Sequence, residues 1–545
     1  MELENQSNKL HAEKFHFDDI FKYIGSCNKY LFVSFVTASL CITSIGWNSL
    51  AVVFLFPEID FWCNVEELND LCTERNFTDV ECRTLKLENR PVDNENTPLK
   101  ENQCSKYNFT NLSTSRNSSI HRCGNGYEFD TTKYLSSVTQ EFNLVCEDAY
   151  LIPLMLSLTY FGVLLGALIF GNVSDRLGRK KTLVLCMCMY SVCLVVKLLS
   201  QEYWMFLISA TIAMIFIQGA YLTTFVLGCE LVGPSIRSFA GTFIGIQWAI
   251  GYMLASLYAY LIPYWRYMLL AMLLTDIAMW ILICLVVTES PRWLHARNRM
   301  GETEVILKRA CRSSKEPQES IRVSQMICAT PAVIEKSSSD FKPRNLLRMK
   351  NLWLRFFLIN FIWFVNSLVY YGLSLSAVTL GSNDYVANVL AGLVEIPAAF
   401  LGWIAMERMG RRPILSAAMV LAGIACASSP FLSNSILGMI SGLVGKFSIS
   451  ISFTIIYIVA SEVYPTPIRN TALGLSSTIG NLGAISAPQI LYAGVLFEQL
   501  PYLIFGGLTL VAGIITWFLP ETRGLNLPHS LVEGENLGKD VNTPI

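Results

Sequence analysis

Asp175-Arg176-Leu177-Gly178-Arg179-Lys180 closes one long apolar run, and Glu407-Arg408-Met409-Gly410-Arg411-Arg412 closes another. Positions 175 and 407 are 232 apart, and the same offset recurs elsewhere. It carries Glu230 and Arg237 to Glu462 and Arg469, and Glu289 to Glu521. A common register for separate acidic and basic positions implies a duplicated architecture. Each copy lies at the end of a membrane-length apolar run, so the chain reads as two parallel halves of a membrane protein. Parallel repeats of this kind suit a carrier that rocks two helix bundles about a central site.

Composition agrees. Of 545 residues, 52% are hydrophobic and only 15% are charged, where a soluble domain carries about 25%. The net charge of −1 argues against a nucleic-acid partner. A bilayer core needs about 20 apolar residues per helix. Twelve stretches qualify: 30–56, 150–171, 182–199, 204–228, 239–262, 267–287, 352–376, 385–406, 414–432, 435–460, 471–495 and 501–519. The fold class expected is an all-α membrane protein, with twelve transmembrane helices in two six-helix halves. The run at 30–56 is too long for a signal-peptide core and is read as a retained first span.

Basic residues orient the spans. Loop 172–181 holds Arg176, Arg179, Lys180 and Lys181, and loop 407–413 holds Arg408, Arg411 and Arg412. Segment 289–350 has thirteen basic and seven acidic residues, whereas the alternate short loops are nearly free of basic residues. The repeated motifs and both termini are therefore expected to be cytoplasmic, in a multi-pass protein of the plasma membrane. The organisation becomes a tail at 1–29, a first half at 30–287, a linker at 288–351, a second half at 352–519 and a tail at 520–545. A short surface helix is expected in the linker from Thr303 to Arg312.

The opposite side carries one insert, 57–149, within the first half. It holds Cys63, Cys72, Cys82, Cys104, Cys123 and Cys146, and N-glycosylation sequons at Asn76, Asn108, Asn111 and Asn117. Six cysteines in an oxidising compartment leave fifteen pairings open, and bridges between chains would make a homo-oligomer. The sequons at Asn5 and Asn172 fall on the cytoplasmic side and are expected to be unused.

The chain resembles a major facilitator, and within that superfamily the organic cation, organic anion and carnitine transporters. The Asp175–Lys180 loop and Glu521-Thr522-Arg523-Gly524 are general to the superfamily and to sugar porters. More specific are Thr288-Glu289-Ser290-Pro291-Arg292-Trp293-Leu294, the stretch Ser461–Asn470, and Val394-Glu395-Ile396-Pro397-Ala398. The six-cysteine insert is more specific again, since sugar porters as a family lack it. The stretch Phe361–Leu373 is similar to the seventh span of invertebrate organic-cation-type members.

Asp175, Arg176, Arg179, Glu230, Arg237 and Glu289, with Glu407, Arg408, Arg411, Glu462, Arg469 and Glu521, are expected to form charge pairs. Such pairs would stabilise a closed cytoplasmic side and so set the balance between access states. Positive-inside topology alone would not require the acidic members.

Polar groups at membrane depth are costly, which marks them as functional candidates. They are Asn48, Lys197, Gln218, Gln247, Asp276, Asn360, Asn366, Glu395, Lys446 and Asn481. Lys197 lies near a span end and can snorkel, while Asp276 is left without a role. Helical spacing groups Gln218 with Tyr221, Trp363 with Asn366 and Tyr370, Lys446 with Ser450, Phe453 and Tyr457, and Ser477 with Thr478 and Asn481. Aromatic walls with few polar anchors suit amphipathic organic ions; helix–helix packing is the plainer use of the same residues.

The resemblance sharpens this set. Gln218 stands where cation transporters have Lys, and Tyr221 where they have Trp. Gln247 and Tyr370 match a Gln and a Tyr. Asn481 stands where the vertebrate cation branch has Asp and the anion and carnitine branches have Arg. Ala399 replaces a Lys of the anion branch. Glu395 and Lys446 are expected to neutralise one another. The substrate contacts expected are Gln218, Tyr221, Gln247, Tyr370, Tyr371 and Asn481, with Glu395 as electrostatic tuner.

The resulting expectation is a carrier of small organic cations or zwitterions working by alternating access, in a lipid bilayer. An organic anion exchanger is the second reading. A non-transporting surface protein that binds a partner through its insert is the third. No enzyme motif, metal-ligand spacing or cofactor site is present. Gly442-Leu443-Val444-Gly445-Lys446 lacks the spacing of a phosphate loop and lies within a span.

Overall fold

The computed structural model describes residue 17 and residues 20–75, 77–88, 104–107, 120–314, 317–318, 321–322, 324–325, 349–377, 383–432, 436–525, 528 and 530–537. The first six long helices are α1 (Lys29–Leu50), α2 (Leu151–Leu177), α3 (Arg179–Leu198), α4 (Tyr203–Leu231), α5 (Arg237–Leu261) and α6 (Trp265–Val286). The second six are α7 (Lys350–Leu375), α8 (Asp384–Met409), α9 (Arg411–Ser428), α10 (Ile436–Val463), α11 (Arg469–Tyr492) and α12 (Leu500–Ile515).

Eleven helices among the described residues are long and apolar enough to cross a membrane, and α11 is the twelfth long helix of the halves. It runs for 24 residues but is diluted by Ser476, Ser477, Thr478, Asn481, Ser486 and Gln489. It packs between α7 of its own half and α2 of the other.

The helix starts and stops follow local chemistry. Asn28 caps α1 by accepting from the Tyr30 N–H, and Asn383 caps α8 by accepting from Tyr385 and Val386. Both α2 and α8 run past the expected apolar limit to take in Asp175, Arg176, Glu407 and Arg408. They end at Gly178 and Gly410, with φ of 104° and 101°. Only glycine adopts that backbone without strain. A Cβ there would also collide with the carboxylate of Glu289, at 2.6 Å, or of Glu521, at 2.8 Å.

The insert joins α1 to α2. Its β1 (Phe61–Cys63) pairs antiparallel with β4 (Tyr127–Phe129), and β2 (Ser105–Tyr107) with β3 (Ile120–Arg122). Glu128 gathers the insert, accepting from Lys86 at 2.6 Å, Trp62 at 2.9 Å and Asn69 at 3.0 Å. Burial would raise its carboxyl, but these donors outweigh that and hold it below the usual range. Disulfides join Cys63 to Cys123, Cys72 to Cys82 and Cys104 to Cys146. All six cysteines of the insert are thereby bridged within the chain. Asn76, Asn108, Asn111 and Asn117 lie outside the described residues. The linker helix runs over Met300–Arg312, and most of the linker after it also lies outside them.

The halves meet along two seams, α5 against α8 and α2 against α11. Within the first half, α1 and α5 approach closely. An added Cβ on Gly251 would lie 2.2 Å from the Thr43 carbonyl oxygen. Gly251→Ala is expected to lower stability by about 1–3 kcal/mol through overpacking. Gly241→Ala, on the same helix with nothing within 4 Å of its new Cβ, is the control. Thermal unfolding in detergent checks both, and equal midpoints would refute the close packing.

Candidate functional site

The second half supplies the charged centre. Lys446 on α10 is 2% exposed and Glu395 on α8 is 9% exposed, and their charged atoms are 2.8 Å apart. Lys446 Nζ also donates to Ser374 Oγ at 2.6 Å and lies 3.5 Å from the centroid of the Tyr370 ring. Tyr370 donates its phenol to Glu395 Oε1 at 2.7 Å. These bonds satisfy two buried charges that could not stand alone at membrane depth.

The first half reaches this centre through α5. Trp248 Nε1 donates to the Tyr370 phenol oxygen at 3.0 Å, and Tyr252 Oη donates to the Ser374 carbonyl at 3.4 Å. The amine of Lys446 lies 5.4 Å from the Tyr252 ring centroid.

Aromatic rings continue outward from Tyr370 without a break. Tyr370 meets Tyr371 at 5.3 Å and Phe453 at 5.2 Å. Phe453 meets Tyr457 at 5.8 Å, and Tyr457 meets Trp363 at 4.3 Å. From the first half, Tyr160 meets Tyr371 at 4.8 Å and Tyr221 meets Trp248 at 6.4 Å. Tyr221 is also near enough to Tyr371 and Tyr457 for their phenols to interact electrostatically. The result is one aromatic wall contributed by both halves, with a neutralised ion pair at its base.

The structure thus brings together Tyr221, Tyr370, Tyr371 and Glu395. Gln247 is placed differently: it is buried and its Oε1 accepts from Thr43 Oγ1 at 2.8 Å, so it ties α5 to α1. Gln218 and Asn481 are half-buried, and neither has a side-chain hydrogen bond among the described residues. Gln218 sits beside Gly166 of α2. Asn481 lies on α11 between Gly480, which approaches Trp363 and Ser367, and Ala484, which packs with Tyr160. Sequence reasoning missed Trp248, Tyr252, Tyr160 and Ser374. Trp248 and Tyr252 are four apart on α5, a spacing that would have revealed the stripe.

Eight of the twelve duplicated charges form two matching hubs, one in each half. Arg179 donates to both oxygens of Glu230 at 3.1 Å and lies 2.9 Å from Asp175. Its backbone N–H donates to Glu289 at 2.9 Å. Arg411 reaches Glu462 at 3.3 Å and Glu407 at 3.6 Å, and its N–H donates to Glu521 at 2.9 Å. Burial would raise the Glu521 carboxyl, but the N–H groups of Arg411, Arg523, Arg412 and Thr522 overcome this and hold it low. Arg237 donates to the Cys229 carbonyl and Arg469 to the Tyr464 carbonyl, while Arg176 and Arg408 are exposed. Every charge pair named here closes within its own half.

The bridges between halves lie from the midplane toward the insert. Ser157 donates to the Ile485 carbonyl at 2.8 Å and accepts from Gln489 at 3.1 Å, and Asn388 donates to Ser256 at 2.7 Å. At the insert itself, Tyr134 Oη and Lys133 Nζ both reach Asp384 at 2.7 Å. Tyr385 stacks on Phe54 at 5.5 Å. The observed arrangement is closed toward the insert.

The sugar (and other) transporter family model matches residues 95–530. The organic cation transporter protein of Drosophila melanogaster is 34% identical over 543 residues, covering 96% of this chain and 95% of its own length. Human organic cation/carnitine transporter 2 is 31% identical over 538 residues, covering 94% and 93%. The carcinine transporter of Drosophila melanogaster is 32% identical over 552 residues, covering 97% and 80%. Among solved structures, the inward-open xylose transporter XylE from E. coli aligns with a TM-score of 0.58 at 16% identity, covering 91% of this chain and 98% of that one.

Breaking the buried pair should be far costlier than deleting it. Glu395→Gln or Lys446→Met alone leaves one charge unpaired, at about 3–5 kcal/mol, and the double variant should recover much of that loss. A thermal-stability double-mutant cycle reads the coupling, and strictly additive losses would refute it.

Proposed function

This chain belongs to the organic cation and carnitine transporter family of the major facilitator superfamily, a multi-pass membrane carrier rather than an enzyme, and from that premise we propose how it works. It carries small organic cations or zwitterions by alternating access. The observation that carries this reading is the aromatic wall shared between the halves, with Glu395 and Lys446 cancelling at its base. The face of Tyr370 already holds an ammonium, that of Lys446, so the wall's chemistry suits a second one. With no net charge at the centre, a monocation or zwitterion fits better than a dianion. Tyr221, Tyr370 and Tyr371 supply ring faces. Gln218 and Asn481 offer amides for a polar substituent, Gln247 holds α5 in place, and Glu395 tunes the field.

The insert, with three disulfides, belongs on the outer side of a plasma membrane, with both termini in the cytoplasm. Glycans at Asn76, Asn108, Asn111 and Asn117 fit that orientation, and a mobility shift on deglycosylation tests them. The side that carries the insert is the closed one. When the cycle closes the inner side instead, the Arg179 and Arg411 hubs approach one another and set its stability. A single positive charge gains about 2.3 kcal/mol per 100 mV of membrane potential, enough to drive cation entry without a second ion.

Radiolabelled uptake of a quaternary ammonium, carnitine and a dicarboxylate, with and without depolarisation, tests the reading. Saturable uptake of the first or second is expected, with cation uptake falling on depolarisation. Uptake of the dicarboxylate alone would establish the anion exchanger instead. No saturable uptake at confirmed surface expression would leave the insert as a partner-binding module. Two variants separate the roles. Tyr371→Leu should raise KM roughly 5- to 30-fold, the loss of about 1–2 kcal/mol of cation–π contact. Arg179→Ala should lower maximal rate with little change in KM, and the reverse pattern would place Arg179 in substrate binding.

A further inference from the structure

Asp276 is an acidic group singled out in the sequence that the transport site does not absorb. It sits midway along α6 and is fully buried, at 0% exposure. Ser44 Oγ donates to its Oδ1, and Asn48 Nδ2 donates to its Oδ2 at 2.8 Å. Both donors are on α1. Among the described residues no lysine or arginine pairs with it. The titratable groups that face it are Cys41 on α1, Tyr190 on α3 and Tyr258 on α5, a thiol and two phenols that carry no charge near neutral pH. Lys197, farther along α3, turns its amine over the Phe206 ring at 4.9 Å instead.

A carboxylate in such a place is costly when ionised and cheap when protonated. A hydroxyl and an amide donor make the ionised form bearable for part of a cycle. Beside Ser44 is a cavity of about 10 Å³, lined also by Cys41, Cys186, Tyr190 and Trp280, which is close to the room one water needs. The Trp280 indole N–H is buried there without a partner.

The site is also wired to the charged centre. Ser44 adjoins Thr43, which donates to Gln247 at 2.8 Å. Gln247 adjoins Trp248, which donates to Tyr370, which donates to Glu395, which pairs with Lys446. Neighbouring residues on α1 and α5 thus join Asp276 to the group that crosses between the halves.

We propose that Asp276 is a proton-binding site coupled to the transport cycle, taking up H⁺ in one access state and releasing it in the other. The proton adds to a carboxylate oxygen and leaves from it, with no other bond made or broken. The proposal rests on the transport reading above.

The test uses the full chain in proteoliposomes, with membrane potential clamped and either tetraethylammonium or carnitine as the labelled probe. Counterflow, the exchange of internal unlabelled for external labelled probe, is measured first. If the wild type shows none for either probe, the transport reading fails and takes this proposal with it. A one-unit pH gradient is then imposed. Coupling to one proton is expected to change wild-type accumulation by up to about tenfold. Asp276→Asn should abolish that response while counterflow stays within about twofold of wild type, and Asp276→Glu should restore it. Ser44→Ala, which keeps the acid and removes one donor, should displace the pH profile of transport. Wild-type accumulation indifferent to the gradient would overturn the proposal. So would an Asp276→Asn variant that keeps the wild-type response, or one that is folded yet has lost counterflow, or an unmoved profile in Ser44→Ala.

Discussion

An ammonium and a carboxylate set inside hydrocarbon hold one another there, because neither has water to return to. Lys446 and Glu395 fix α10 against α8, and the bonds of both to Tyr370 and Ser374 fix α7 against the pair. Trp248 then has a rigid acceptor to reach from the other half. The consequence is a midplane at which three helices of one half are committed to one geometry, while a single indole N–H and the Tyr252 phenol test it from the other. A centre so arranged is stiff on one side and adjustable on the other, which is what a carrier needs where its two bundles must part and rejoin.

Much of the architecture was legible because duplication repeats chemistry, and chemistry needs particular residues. Arg179 and Glu230 are 51 apart, as are Arg411 and Glu462; the backbone N–H of each Arg finds Glu289 or Glu521 at a separation of 110. The left-handed Gly178 and Gly410 complete the match. The fold could be read from these positions since each hub ties a loop to the helices on either side of it. The aromatic stripes on α7 and α10 were visible for a similar reason, the helical period.

What stayed hidden depends on which neighbour a helix face meets. Gln247 and Trp248 are adjacent in sequence, yet one faces α1 and the other crosses to Tyr370. No periodicity within α5 distinguishes those partners. The stretch 471–495 was legible as a span, but that α11 packs against α2 and α7 is a tertiary fact. Fifteen disulfide pairings were equally consistent with the spacing, and only the folded insert shows Cys63 joined to Cys123, Cys72 to Cys82 and Cys104 to Cys146. That the charge hubs close within each half is likewise a property of one arrangement of the bundles.

Asp384 stands at the first turn of α8 and is held from the insert by Lys133 and Tyr134, with Lys133 half exposed. An ion pair open to solvent is weakened by dissolved salt, whose screening length is about 8 Å at physiological strength. The midplane pair, sealed from solvent, is not. The two ends of the closed seam therefore answer to different surroundings: the midplane end to the shape of a cargo, the insert end to the saltiness of the fluid on that side. A change in that fluid's ionic strength would alter how readily the insert end opens without touching what the carrier prefers to hold.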